Sequence, residues 1–257
     1  MIRAMIFDLD GTLVKTEWLK SLSYAQAVQR LSPAPVTVEE VQAAFSEVVG
    51  RSREEVSLAL LVQFGLQAAA QSRLAEFEAQ LAWQVLAQIR LEIYEAMLAD
   101  AAVLRANQWP HNVELLRMAR RALCSTALAS MSSREQVTRV LEAIALQDQF
   151  DVVLSRDDVE SPKPDPEIYL LAAHLLEASP QECLVIEDSP AGVQAAVSAG
   201  MHCVAVATPF TRAGLHAQQW LAQEWVVDDP GLLSLAVERL MQAQSPANVH
   251  PGSRPGF

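Results

Sequence analysis

Residues 5–14 read M-I-F-D-L-D-G-T-L-V, an apolar run that ends in two aspartates one residue apart. Side chains two residues apart on an extended chain point the same way, so Asp8 and Asp10 should present two carboxylates to one small volume. Such ligands suit Mg²⁺, which takes one or two carboxylates together with substrate phosphate oxygens. The stretch therefore predicts phosphoryl chemistry at Asp8, although Asp-Gly is also a common surface turn after a strand.

The composition indicates a soluble globular protein. The 257 residues allow one large domain or two modest ones, and the 51% hydrophobic content includes no long uninterrupted apolar segment. Lys+Arg 19 against Asp+Glu 31 gives a formal charge of -12, which disfavours nucleic acid and anionic membranes as partners. A phosphorylated substrate must then be attracted by local positive groups. We expect the chain to act as a monomer.

The N-terminus and the cysteines predict a cytoplasmic location. The chain runs directly into the first predicted strand and leaves no room for a signal peptide. The three cysteines, Cys124, Cys183 and Cys203, are an odd number without metal-site spacing, and each lies in or beside an apolar stretch. Buried, reduced thiols are therefore expected.

The segment 15–106 predicts an all-helical domain because no strand pattern interrupts it. Thr37 with Glu40 and Ser52 with Glu55 match the capping box that begins a helix. The apolar stripe after Ala68 fits one long helix or two nearly in line. The predicted helices cover Glu17–Leu31, Thr37–Gly50, Ser52–Gly65 and Ala68–Met97.

Beyond Pro110 the pattern alternates between helix and strand. This alternation predicts an α/β, Rossmann-like parallel sheet with helices on both faces, formed by residues 1–14 and 107–243. Ligands of such sheets bind at the carboxyl ends of the strands. No function is assigned to the tail, 244–257. The later predicted strands are Ser125–Ala129, Phe150–Leu154, Cys183–Ile186, Cys203–Ala207 and an edge strand, Gln223–Asp228; the helices are Asn112–Leu123, Ser133–Leu146, Pro166–Glu177, Ala191–Ala199 and Pro230–Ala243.

Polar residues that follow the predicted strands are candidates for binding a phosphoryl group. Ser130 and Ser132 lie between a strand and a helix, where hydroxyls and free N–H groups can hold phosphate oxygens. Ser132 could equally cap the helix. Lys163 lies between two prolines that restrict the backbone, so its ammonium could be fixed against a nucleophile and its phosphoryl oxygens. A rigid, exposed loop lysine is the alternative.

A second acidic pair, Glu187 and Asp188, directly follows the apolar run L-V-I. Two acidic pairs on neighbouring strand ends would repel each other unless a divalent cation lay between them. A helix cap by Asp188 or Ser189 is the simpler alternative, and both functions are compatible.

Four segments, D-L-D-G-T-L, a serine after a strand, K-P-D-P and I-E-D-S-P-A-G, resemble in order and spacing the four motifs of the haloacid dehalogenase-like superfamily. The resemblance spans nearly the whole chain. The helical insert after the first motif is similar to the C1-type cap of the β-phosphoglucomutase-like branch. The resemblance implies that this cap domain, 15–106, closes over the substrate and selects the leaving group.

The resemblance also implies a mechanism. Asp8 would attack phosphorus to form an aspartyl phosphate, and Asp10 would be the acid and base. Mg²⁺ would be held by the Asp8 carboxylate, the Asp10 backbone carbonyl and Asp188, with Glu187 as a further or water-bridged ligand. Ser130, Ser132 and Lys163 would hold the phosphoryl oxygens. The expected function is a Mg²⁺-dependent phosphatase acting on a small phosphorylated metabolite, such as a sugar phosphate.

Three cap residues are further candidates for substrate binding. G-R-S-R-E-E, which begins at Gly50, resembles the cap loop by which relatives reach the substrate, with Arg53 at the position of a substrate-binding arginine. Arg90 resembles another basic cap position. The alternative for both arginines is a solvated helix face.

Two other functions remain possible. Lys15 and Lys20 replace an aspartate and a histidine of the sugar phosphomutases, which favours hydrolysis over the β-phosphoglucomutase-type alternative. Asp10 argues against dehalogenase and phosphonatase chemistry, because those relatives do not keep an aspartate there. A non-catalytic binding or regulatory module would be expected to lose a motif residue, and Asp8, Asp10, Lys163 and Asp188 are all present.

Overall fold

The structure is a computed structural model that describes residues 1–49 and 51–244. It divides into two compact units. The core unit comprises Met1–Leu13, Trp109–Arg134 and the chain from Leu146 onward, and the helical unit comprises Val14–Gln108 and Glu135–Ala145. The helices, in chain order, are α1 (Thr16–Leu31), α2 (Val38–Ser46), α3 (Arg53–Gln63), α4 (Gln67–Gln71), α5 (Ala82–Ala99), α6 (Ala101–Ala106), α7 (Pro110–Arg121), α8 (Arg134–Ala143), α9 (Glu167–Leu175), α10 (Pro190–Ser198), α11 (Arg212–Ala217) and α12 (Leu233–Ala243).

The described part of the core unit contains one parallel sheet of six strands in the order β3-β2-β1-β4-β5-β6. This is the Rossmann order, in which the strand sequence reverses at β1, so the predicted fold class is confirmed. The strands are β1 (Ala4–Phe7), β2 (Ser125–Ala129), β3 (Val152–Leu154), β4 (Cys183–Glu187), β5 (His202–Val206) and β6 (Val226–Val227).

Alternation along the strands explains why helices cover both faces of the sheet. Ala4 and Ile6 of β1 belong to a buried cluster that includes residues of α9 and α10. Met5 and Phe7 are equally buried and point to the opposite face, and α7 and α12 also contact the sheet strands. Because both faces are covered, the strands are nearly continuous apolar runs, as expected for a buried parallel sheet.

The helical unit confirms both predicted capping boxes, at Thr37 with Glu40 and at Ser52 with Glu55. Of the two arrangements considered after Ala68, the single long helix is wrong, because the chain forms two helices, α4 and α5, with turns between them. The helix cannot continue between them, because Glu78 has a φ of +49°, outside the right-handed helical range.

The unit boundary differs from the predicted domains in one segment. The sequence assigned residues 107–243 to the core, whereas Glu135–Ala145 groups with the helical unit. Two hydrogen bonds join this segment to the rest of the helical unit. Arg105 donates to the carbonyl of Ala143, and Gln108 donates to the carbonyl of Ile144. The predicted tail, apart from Gln244, lies outside the described residues.

Smaller features of the sequence have clear outcomes. Cys183 and Cys203 are buried free thiols, and Cys124 is a half-buried free thiol. The predicted edge strand shortens to β6, and the last helix begins at Leu233 because a short 3₁₀ turn capped by Asp229 precedes it. In the part of the chain that the structure describes, the helices are too short or too polar to span a bilayer.

Candidate active site

Three adjacent strand ends assemble the candidate site in the core unit. Asp8 follows β1, Ser130 follows β2, and Glu187 ends β4 with Asp188 directly after it. Since β2 and β4 pair with the two sides of β1, these polar residues meet where the strand order reverses. That position is the usual ligand site of open α/β sheets.

Lys163 connects all three strand ends. Its Nζ lies 2.8 Å from Asp8 Oδ1, 2.7 Å from Glu187 Oε1 and 3.0 Å from the carbonyl oxygen of Ala129. The side chains of Lys163, Asp8 and Glu187 are only 5%, 8% and 1% exposed. The exposed-loop alternative for Lys163 is therefore wrong, and all three ammonium hydrogens have an acceptor.

Glu187 is held by five hydrogen bonds. Oε1 accepts from Lys163 and from the Tyr169 hydroxyl, and Oε2 accepts from the backbone N–H of Asp188 and from the N–H and hydroxyl of Ser189. Gly192 on α10 makes room for this carboxylate, because a Cβ there would lie 1.7 Å from Oε1. Both oxygens are thus fixed in a closely packed space.

Asp188 has a comparable setting beside the first motif. Thr12 Oγ1 donates to Asp188 Oδ1 at 3.3 Å, and Asn112 Nδ2 donates to the Thr12 carbonyl at 2.6 Å. Gly11 has a φ of +89°, and a Cβ there would lie 2.2 Å from Asp188 Oδ2. The glycine of D-L-D-G-T is therefore required both for the turn and for the approach of Asp188.

Asp10 has a different environment from Asp8. Its Oδ2 accepts hydrogen bonds from Ser130 Oγ at 3.1 Å and from Ser132 Oγ at 2.7 Å. Ser130 Oγ in turn accepts from the backbone N–H of Ser132 at 3.0 Å. The two aspartates of one motif thus have separate partners, a lysine for Asp8 and two hydroxyls for Asp10.

Burial and charge determine the ionisation of the cluster. Burial raises the pKa of Asp8 to about 7, with Glu187 and Asp10 adding to the rise and Lys163 opposing it. Burial alone would lower the pKa of Lys163, but the carboxylates of Asp8 and Glu187 outweigh it and hold that pKa well above its usual value. The pKa of Glu187 is lowered because Lys163 and Ser189 outweigh the effect of burial.

The donor set fits a divalent cation. Asp8, Glu187 and Asp188 each offer a buried carboxylate oxygen, and these atoms lie within 4.8 Å of one another. Three carboxylates beside the single ammonium of Lys163 leave two formal negative charges, and burying them is costly unless a cation compensates. Oxygen-only ligands match the preference of Mg²⁺.

The candidate cap residues belong to the helical unit. Gly50 lies outside the described residues, and Arg53 is exposed in the first turn of α3. Arg90 is only 7% exposed, so the solvated-helix alternative is wrong for it. Its guanidinium lies 5.1 Å from the ring centroid of Tyr24 and 4.5 Å from that of Tyr94.

Several residues that shape the site were not predicted. Gly11 and Thr12 lie inside the first motif, and their position directly after Asp10 could have identified them as site residues. Tyr169 and Gly192 had no such signal, since a tyrosine or a small residue within an apolar helix is usually a core residue. Their contacts depend on which strand and helix become neighbours.

Comparison with known proteins agrees with this geometry. The haloacid dehalogenase-like hydrolase family matches residues 2–200. The chain belongs to this family of enzymes, as the four motifs indicated. Its relatives and structural neighbours are of the β-phosphoglucomutase-like kind, with a cap domain, and include both phosphatases and phosphomutases.

Two curated relatives illustrate this range. Hexitol phosphatase A of Escherichia coli is 30% identical over 207 residues, which are 80% of this chain and 84% of the relative. Beta-phosphoglucomutase of Bacillus subtilis is 29% identical over 211 residues, which are 80% of this chain and 83% of the relative. The chain spans only part of two other relatives. It matches 38% of the length of the putative phosphatase YhcW of Bacillus subtilis and 18% of the length of the protein SUPPRESSOR OF QUENCHING 1 of Arabidopsis thaliana.

One solved structure shows the shared fold. CbbY from Rhodobacter sphaeroides, crystallised in complex with phosphate, is 24% identical with a TM-score of 0.61. The match covers 93% of this chain and 100% of CbbY.

Proposed function

We propose that this enzyme is a Mg²⁺-dependent phosphatase that hydrolyses a small phosphorylated metabolite through an aspartyl phosphate on Asp8. The observation that supports this most directly is that the two aspartates of the first motif have different partners. Asp8 is paired with the fixed ammonium of Lys163, whereas Asp10 accepts hydrogen bonds from two serine hydroxyls. A nucleophile and an acid/base need different surroundings of this kind.

In the first step a carboxylate oxygen of Asp8 forms a bond to phosphorus while the bond from phosphorus to the leaving oxygen breaks. Asp10 gives its proton to that leaving oxygen. In the second step a water molecule attacks the phosphorus of the aspartyl phosphate, and Asp10 takes up the proton of the water. Inorganic phosphate leaves, and Asp8 is regenerated as a carboxylate.

Ser130 and Ser132 have two functions in this scheme. Their hydroxyls orient the Asp10 carboxylate, as the hydrogen bonds of 3.1 and 2.7 Å indicate. They also stand at the strand end where the phosphoryl oxygens would bind. Lys163 neutralises charge on Asp8 and on the transferred group, which is the larger part of what a protein contributes to phosphoryl transfer.

Asp8 and Asp188 would be the direct Mg²⁺ ligands, together with the backbone carbonyl of Asp10. Glu187, already occupied by five hydrogen bonds, would act through water or by orienting its neighbours. When bound, Mg²⁺ would offset the negative charge of the carboxylates and of the substrate phosphate. Arg53 and Arg90, with the loop at Gly50, are our candidates for binding the part of the substrate remote from phosphorus.

The phosphomutase alternative is less favoured by residues outside the core cluster. Mutase relatives carry an aspartate and a histidine where this chain has Lys15 and Lys20. The Lys20 ammonium lies 2.5 Å from a carboxylate oxygen of Glu17, in an ion pair on α1. This position thus carries an ammonium engaged in an ion pair, in contrast with the imidazole of the mutase relatives.

Hydrolysis of p-nitrophenyl phosphate with and without Mg²⁺ tests the proposal. The wild-type enzyme should release phosphate only with Mg²⁺, and Asp8→Asn should lose at least about a thousandfold in kcat while its circular dichroism stays unchanged. Retained turnover in Asp8→Asn would exclude Asp8 as the nucleophile. Incubation with β-glucose 1-phosphate and a bisphosphate primer separates the alternatives, since a mutase yields glucose 6-phosphate and a phosphatase yields free phosphate.

A further inference from the structure

A buried tyrosine, Tyr169, lies beside Lys163 and Glu187. Tyr169 is completely buried on α9, and its hydroxyl donates to Glu187 Oε1 at 3.0 Å. The same oxygen accepts the Lys163 ammonium at 2.7 Å. The Lys163 Nζ also lies 4.8 Å from the centroid of the Tyr169 ring. One side chain therefore contacts both members of the Lys163–Glu187 ion pair.

Packing alone does not account for this hydroxyl. A phenylalanine would fill the apolar part of the site equally well, whereas a buried hydroxyl needs a hydrogen-bond partner. The two oxygens of Glu187 are also held differently. Oε2 is held by the two following residues, through the N–H groups of Asp188 and Ser189 and the Ser189 hydroxyl, whereas the hydrogen bonds described for Oε1 come from two distant side chains, Lys163 and Tyr169.

We propose that Tyr169 is a positioning residue, whose hydroxyl and ring together fix the Lys163 ammonium against the nucleophile Asp8. The hydroxyl fixes Glu187 Oε1 and takes up part of its hydrogen-bonding capacity. The face of the Tyr169 ring attracts the Lys163 ammonium through a cation–π interaction. Lys163 is then held between Asp8 and Glu187 and is not drawn wholly to Glu187. This inference rests on the proposed function, because it assigns Lys163 a part in phosphoryl transfer.

Tyr169→Phe removes one oxygen atom and keeps the ring. Glu187 Oε1 then retains only Lys163, so the ammonium should move toward Glu187 and its contact with Asp8 should lengthen. We expect kcat for p-nitrophenyl phosphate to fall about tenfold, the rate equivalent of one hydrogen bond to a charged group. KM should rise less than about threefold, since the loss concerns charge that develops during transfer.

Ile168→Val is the matched control. Ile168 is the neighbouring residue on α9, is fully buried in the same cluster and likewise loses a single heavy atom. Both variants should lower Tm by a few degrees. Ile168→Val should keep kcat within twofold of wild type, so a loss of kcat limited to Tyr169→Phe cannot be attributed to reduced stability.

Gly192→Ala tests the same carboxylate from its other side. The added Cβ would overlap Glu187 Oε1 and displace it, so kcat should again fall. If both changes act through Glu187, the double variant should lose less than the product of the two single losses. Multiplicative losses would mean that Tyr169 acts independently of Glu187, which would overturn the proposed route.

Chemical labelling provides a readout that does not require turnover. The sequence has three lysines, Lys15, Lys20 and Lys163, so acetic anhydride labelling followed by mass spectrometry reports Lys163 with two internal references. Lys163 should be labelled slowest in the wild type. Its rate relative to Lys20 should change at least threefold in Tyr169→Phe and remain unchanged in Ile168→Val.

The two readouts separate the possible failures. If the wild-type enzyme shows no phosphatase activity, the proposed function fails, and labelling still decides whether Tyr169 positions Lys163. If the wild type is active, unchanged labelling in Tyr169→Phe overturns the inference. A kcat within twofold of wild type overturns it as well, because the positioning would then have no catalytic effect.

Discussion

The ammonium of Lys163 lies 2.8 Å from Oδ1 of Asp8, with both side chains buried. Burial, Glu187 and Asp10 all raise the pKa of Asp8, and Lys163 opposes them. The lysine thus keeps the carboxyl of Asp8 ionisable near neutral pH, at a pKa of about 7. Under the proposed function, this ion pair keeps the nucleophile Asp8 available as a carboxylate.

Lys163→Met should destabilise the fold strongly at pH 8, by about 3 kcal/mol, because it leaves ionised carboxylates buried without their cation. The loss should be smaller at pH 5.5, where Asp8 can take up a proton. Urea denaturation at both pH values measures this. Arg139→Met, which breaks an exposed i,i+4 pair with Glu135, should cost under about 1 kcal/mol. If Lys163→Met lost as little stability as Arg139→Met, the proposed role of the Lys163–Asp8 ion pair would be contradicted.

Mg²⁺ affinity should depend on pH through Asp8. A metal binds the carboxylate and competes with the proton, so the raised pKa of about 7 predicts weaker binding as the pH falls below that value. The apparent Kd should rise by up to about tenfold per pH unit below 7 and level off above it. Calorimetric titration between pH 5.5 and 8.5 measures it. Asp8→Asn should bind more weakly and without this dependence, and equal wild-type affinity at both extremes would exclude the explanation.

Gly11→Ala should impair Mg²⁺ activation. The added Cβ would lie 2.2 Å from Asp188 Oδ2 and displace that carboxylate. Gly200→Ala is the control, since its φ is also positive, at +73°, but the nearest heavy atom would be 3.8 Å away. Both changes should cost about 1–2 kcal/mol from backbone strain. Only Gly11→Ala should raise the Mg²⁺ concentration for half-maximal activity, by about tenfold or more; an equal shift in the two variants would show that strain alone is responsible.

Arg53→Ala should raise KM for a substrate with a second anionic group, by about tenfold, through loss of a charge-assisted hydrogen bond. KM for p-nitrophenyl phosphate, which has no second anion, should change less than about twofold. Arg51→Ala, an exposed arginine two residues earlier, is the matched control. Steady-state kinetics on both substrates measure the effect, and unchanged kinetics with the doubly charged substrate would remove Arg53 from the site.

The sequence predicted the sheet well because the strands are short, mainly apolar runs that alternate with helical segments. It predicted less well where the chain departs from a regular pattern. The apolar stripe after Ala68 fitted one long helix or two nearly in line, whereas the chain forms α4 and α5 with turns between them and a φ of +49° at Glu78. The grouping of Glu135–Ala145 with the helical unit has no local signal in the sequence, since Arg105 and Gln108, which donate hydrogen bonds to its carbonyls, lie more than thirty residues away.

The sequence by itself determined the family, the α/β fold and the principal candidates for catalysis, because those residues stand at fixed offsets from strand ends. Only the tertiary structure decided how their hydrogen bonds are shared. It joined Asp8 to Lys163 and Asp10 to two serines, and it placed Tyr169 and Gly192 around Glu187. Such contacts join residues that become neighbours only when separate strands and helices pack together, so no local sequence pattern specifies them.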